Sequence, residues 1–122
     1  MTQKAEIQAL LIAIGKQFPE LKKRINKIDQ VMTTSRLEEF AKATTEAIAQ
    51  RNPQYVKSHF DFIEHWLKMA TPMQYHFIDV YYAEVLLYGL SDEDKKRGWQ
   101  LMPSHLRQLH QRLWGVRKSY MQ

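Results

Sequence analysis

The chain contains no cysteine. That removes disulfides, thiolate metal sites and a cysteine nucleophile, and it permits a reducing compartment. Glycine and proline number four each in 122 residues, too few for the many turns of an all-β protein. No apolar run approaches the ~20 residues of a membrane span. The run ALLIAI near the start follows Glu6 and Gln8 and precedes no small-residue cleavage site, so it reads as a helix rather than a signal peptide. The expectation is a cytoplasmic protein without a membrane partner. Linkers, low-complexity tracts and glycine-rich phosphate loops are also missing, and no residue set suggests a metal or another cofactor.

Apolar residues make up 44% of the chain, enough for one packed domain over 1–122. The net charge is +5 and the pI about 9.5, a balance that favours acidic partners. Apolar spacing predicts an all-α fold of six or seven helices joined by short turns and packed as antiparallel pairs. Ile7, Leu10, Leu11 and Ile14 mark a first helix over 3–17, and Pro19 opens a second. Thr33, Thr34 and Ser35 offer caps for a third, whose inner face is Leu37, Phe40, Ala41, Thr44 and Ile48. Asn52-Pro53 and Thr71-Pro72 start the fourth and fifth, with Gln74 placed to close a capping box. Gly89 suits a left-handed stop. Ser91 caps a short sixth helix, and a last helix follows Pro103 over about 104–119.

The stretch HFDFIEHWLKM, residues 59–69, brings three ionisable groups together. Val56, Phe60, Ile63 and Leu67 form the core seam of helix four, with His59, Phe62, Trp66 and Met69 alongside. Asp61, Glu64 and His65 then fall in or beside a polar stripe with Lys57 and Lys68. Glu64 and Lys68 have the favourable i, i+4 order, worth roughly 0.3 kcal/mol at a surface. An inverted zinc-protease helix needs His-x-x-Glu-His. Asp61 stands at the first position here, and no second helix supplies a histidine at ligand spacing. The stripe therefore reads as solvated surface or as a face that touches a partner.

Helix five, MQYHFIDVYYAEVLLYGL, is apolar almost all round, which predicts a central buried helix. Glu84 shares a line with Phe77, Val80 and Leu87. A carboxylate there needs an Arg, a tyrosine hydroxyl or a helix N-terminus as partner. Tyr75, Tyr81, Tyr82 and Tyr88 read as edge residues. In the last helix, Leu106, Leu109, Leu113, Val116 and Tyr120 make the expected buried face. Arg107, His110, Gln111, Trp114 and Lys118 make a second face, flanked by Arg112 and Arg117. Residues 95–122 carry seven Lys or Arg and no acid. Such a face suits an acidic protein or nucleic acid, and it also suits plain solvation near a helix C-terminus.

FPEL at 18–21, FDFIEHWL at 60–67, VYYAEVLLYGL at 80–90 and MPSHLRQLHQRLW at 102–114 give the chain a pattern that resembles a group of small helical bacterial immunity proteins. These sit beside polymorphic or contact-dependent toxins. The group's Phe-Ile-Glu corresponds to Phe62, Ile63 and Glu64, and its later Glu before an apolar run to Glu84. The resemblance implies a non-enzymatic cytoplasmic protein that neutralises a cognate toxin domain, plausibly a nuclease, by steric occlusion. On that reading Arg107, His110, Trp114, Arg117 and Lys118, with Asp61, Glu64 and His65, are the partner-binding candidates, and Glu84 is a buried structural acid. One departure matters: immunity proteins to nucleases are often acidic, whereas this chain is basic. An acidic toxin surface, or an interface away from a basic active site, is then implied. The alternative is a small nucleic-acid-binding protein that uses the C-terminal helix. The sequence does not fix the oligomeric state.

Overall fold

Short polar residues in front of proline set two of the helix starts, and a serine sets a third. The computed structural model describes residues 3–114 and 118–121, without the side chains at 3 and 114. Helix α1 spans Gln3–Gln17. A 3-10 turn at Pro19–Leu21 leads into α2, Lys22–Asn26. Helix α3 spans Thr33–Ala49. Its N-cap is Met32 with no side-chain bond, so the Thr33–Ser35 hydroxyls do not cap it as expected. After α3 the chain reverses at Arg51, whose φ is 58°. Asn52 Oδ1 then accepts the Tyr55 N–H at 3.3 Å and α4 runs over Pro53–Met69.

Thr71 and Gln74 close the expected capping box on α5, Pro72–Ile78. Ser91 accepts the Asp94 N–H at 3.2 Å and starts α6, Asp92–Leu101. Its first turn, Asp92-Glu93-Asp94, opposes the positive end of the helix dipole. Met102 and Pro103 separate α6 from α7, Ser104–Trp114, and a 3-10 turn at Ser119–Met121 follows. No strand occurs among the described residues.

The fold is all-α, and α3 lies at its centre. Leu37, Phe40, Ala41 and Thr44 have no exposed surface. Around α3 pack α1, α2, α4, α6 and the segment that follows α5. The expected seams of α1 and α4 are buried. Met69 is the exception beside the second seam, at 61% exposure.

The fifth helix departs from expectation. Regular α structure stops at Ile78, and Asp79–Ala83 form a π-helical turn in which the Glu84 N–H reaches back five residues to the Asp79 carbonyl, 3.2 Å. Two side chains then replace the next helical hydrogen bond. The Leu87 N–H donates to Thr45 Oγ1 at 3.2 Å, and the Ala83 carbonyl accepts from His110 Nδ1 at 2.9 Å. Leu87 takes a left-handed φ of 70° and Gly89 one of 81°.

The wide turn moves the faces. The buried line becomes Gln74, Ile78, Tyr82 and Leu86, and Glu84 is exposed. The expectation of a buried, partnered Glu84 is therefore wrong. A segment apolar on every side has no polar face to fix its rotation about the helix axis, so 3.6-residue spacing alone points Glu84 inward. Tyr82 is also displaced from its expected edge position: it is fully buried.

Candidate functional site

The acid that the interior does hold is Glu64. Its position on α4 faces the start of α7, where the first N–H groups have no helical partner. Glu64 Oε2 accepts the His105 N–H at 3.2 Å and lies 2.7 Å from His105 Nδ1. Oε1 accepts the Leu106 N–H at 3.3 Å. Glu64 is thus a cap supplied from another helix, with 8% of its surface exposed. It does not stand in the outer stripe, and it makes no pair with Lys68. Asp61 and His65 do face outward, so the three ionisable groups of HFDFIEHW do not converge. Among the described residues no three His, Asp or Glu side chains come together as a metal site.

His59 and His110 lie inside the molecule. Thr44 Oγ1 donates to the Phe40 carbonyl at 3.1 Å. It accepts from His59 Nδ1 at 2.7 Å and from the Tyr82 hydroxyl at 3.0 Å, which fills its hydrogen-bonding capacity. The proton of His59 is then on Nδ1, and Nε2 has no hydrogen-bond partner. The rings of Phe18, Phe40 and Tyr55 surround His59 at 4.4–4.8 Å. Burial lowers its pKa to about 4, so the ring is neutral at ordinary pH. The same burial raises that of Tyr82.

His110, expected on an outward basic face, is 1% exposed. Its Nδ1–H serves the Ala83 carbonyl, and Nε2 accepts the Tyr120 O–H at 3.0 Å. Burial lowers its pKa. Sequence spacing places it outward only if the Leu106–Leu109–Leu113 line is the whole inner face of α7. Leu113 is in fact 40% exposed, and the buried face turns toward His110.

Several other C-terminal cations are also engaged, while Lys96 is exposed. Arg107 stacks over Trp99, 4.9 Å from the ring centre, and donates to the Trp99 and Gln100 carbonyls at 3.0 and 3.1 Å. It closes the C-terminal end of α6. Arg112 pairs with Asp79 at 2.7 Å, Arg97 pairs with Glu93 and Asp94, and Lys95 lies over Tyr120 at 5.9 Å. Lys118 is partly buried. Arg117, Val116 and the Trp114 side chain lie outside the described residues.

Two surface features remain. On α4, Lys57, Asp61, His65 and Lys68 form an exposed face beside half-buried Phe62 and Trp66, whose rings are 6.2 Å apart. At the other end of the chain, Lys16, Lys22, Lys23 and Lys27 are exposed and have no ion-pair partner among the described residues. Residues 16–27 hold five Lys or Arg and one acid. That acid, Glu20, faces Tyr55, where burial and then the Glu20 carboxylate raise the phenol pKa. The local charge count is the signal in the sequence, and the longer acid-free C-terminal stretch outweighs it in a count along the chain.

A family model described as "Domain of unknown function (DUF7674)" matches residues 12–115, and the chain belongs to that family. No curated protein and no solved structure matches the chain.

Proposed function

We propose that this member of the DUF7674 family works by binding a protein, as a bacterial immunity protein that neutralises a cognate toxin domain in the cytoplasm. The observation that carries the reading is the use made of the reactive side chains. Glu64 holds a helix end, His59 and His110 hold hydroxyls and a carbonyl, and Lys57, Asp61, His65 and Lys68 are left on an exposed helix face. Charged and aromatic groups on such faces suit recognition: Phe62 and Trp66 supply apolar area, while Asp61, His65, Lys57 and Lys68 supply charge complementarity. The mechanism is steric occlusion of a toxin cleft, in which this chain contributes no catalytic group. The pattern-level resemblance to immunity proteins supports the same reading.

A nucleic-acid partner on the last helix draws less support, because Arg107 and Arg112 already hold protein groups. Genomic context and capture test the proposal together. A secreted protein with a variable C-terminal domain should be encoded directly upstream, and that domain should co-purify with this chain. A ribosomal or metabolic operon, with no capture, rejects it. Steep loss of binding to DNA or RNA with rising salt would favour the nucleic-acid reading instead.

A further inference from the structure

Two of the unpaired lysines, Lys16 and Lys22, line a groove together with Arg36. Leu11, Ile12, Gly15 and Ile25 supply its apolar lining, Gln8 and Asn26 add polar groups, and its volume is about 280 Å³. Gly15 makes room for the Lys22 stem: a Cβ there would lie 3.3 Å from Lys22 Cγ and Cε. The lysine therefore lies along α1 with its ammonium at the groove edge. A second hollow of about 340 Å³ lies between Lys4, Ile7 and Phe77 on one side and Val31 and Thr33 on the other. Lys4, Ile7, Leu11 and Gly15 recur at helical spacing, so both hollows share one face of α1. From Lys4 to Lys16 that face is ~18 Å long, about three helical turns. Ile12 at the first hollow and Val31 at the second are exposed by 55 and 74%, apolar surface of the kind that marks interaction sites.

The occupant follows from shape and charge. The floor of the first groove is aliphatic, so it offers no ring on which a base could stack. The surface is concave, which suits a rod and not a flat bilayer. Lys16 and Lys22 have no carboxylate of their own among the described residues. We propose that this face of α1 docks an acidic amphipathic helix of a protein partner, with an aliphatic side chain between Ile12 and Ile25 and carboxylates on Lys16 and Lys22. The inference rests on the reading that the chain acts by binding protein, and it names the chemistry of the segment bound.

Fluorescence anisotropy with a labelled three-turn helical peptide tests it. Leucines occupy one face of the peptide and glutamates the rest. A copy with lysine for glutamate, oligothymidylate and phosphatidylserine vesicles serve as competitors. The glutamate peptide should bind and its copy should not. Lys16→Glu/Lys22→Glu should weaken binding by about tenfold or more, and Ile12→Asp should weaken it too. Lys96→Glu on α6, an exposed position, should change nothing. No binding by the glutamate peptide, equal loss in the α6 variant, or displacement by the oligonucleotide or vesicles overturns the assignment. If the upstream toxin domain is captured while the peptide fails, the groove assignment falls and the immunity reading stands. If the peptide binds and no toxin domain is captured, the reverse holds.

Discussion

Two glutamates twenty residues apart exchange the roles that their sequence surroundings suggest. Glu64 follows Ile63 in what reads as a polar stripe, yet it satisfies two N–H groups of α7. Glu84 sits in an apolar run, yet it is exposed. Glu64→Ala should therefore cost ~1–3 kcal/mol, the range for stranding buried partners. Glu84→Ala should change stability by less than ~0.5 kcal/mol. Urea denaturation of both variants checks the pair, and similar losses would contradict the placement.

The histidines make a second residue-scale prediction. His59 is neutral in the folded chain with a pKa of about 4, while an unfolded histidine titrates near 6.5. Its native pKa is lowered, so protons favour the unfolded state. Its contribution is full above pH ~6.5 and is lost as pH falls toward 4. The loss from His59 amounts to about 3 kcal/mol at most, and lowering of the His110 pKa acts in the same direction. Stability measured between pH 7 and 4 should fall less steeply in His59→Gln. A parallel profile would mean that the ring is solvated. Sequence alone places His59 beside the core but gives no sign of its hydroxyl partner Thr44, nor of the Tyr82 hydroxyl that also bonds Thr44, because these come from other elements, Thr44 fifteen positions from His59 and 38 from Tyr82.

At the scale of elements, legibility follows local chemistry. Asn52, the Thr71–Gln74 box, Ser91 and Gly89 are short-range signals, and each acts where the sequence suggests. The break after Ile78 is not local. It depends on Thr45 and His110 taking the two ends of one helical hydrogen bond, and neither is near in sequence. Leu87 is buried at a left-handed φ in that break, and Gly98 of α6 lies against it. A Cβ at Gly98 would come 2.6 Å from Leu87 Cδ2 and 3.0 Å from Ile48 Cδ1. Gly98→Ala gains ~1 kcal/mol of helix propensity but forces two buried side chains apart, at ~1–3 kcal/mol. With Leu87 fixed by its backbone, overpacking should win, and thermal denaturation should show a lower midpoint. An unchanged or raised midpoint would mean that the segment relaxes freely.

For the whole molecule, the net charge of +5 is legible but its useful location is not. The seven cations after Asp94 look like a binding face, yet Lys95, Arg97, Arg107 and Arg112 fasten helices or lie over a ring. Cations without an ion pair among the described residues include Lys16 and Lys22 beside α1 as well as Lys57 and Lys68 on α4, and Glu20 faces Tyr55. Pairing is a three-dimensional property, so a count along the chain overstates one patch and understates another. The same distinction underlies the functional reading: the ionisable groups inside hold the helices together, and recognition falls to outward groups without an ion pair among the described residues, such as Lys16, Lys22, Lys57 and Lys68. The direct test is light scattering on a mixture of this chain and the C-terminal domain of the secreted protein that the proposal places directly upstream. The account predicts a single one-to-one complex in which the domain loses its toxic activity. Two separate species, with the domain fully active, would contradict it.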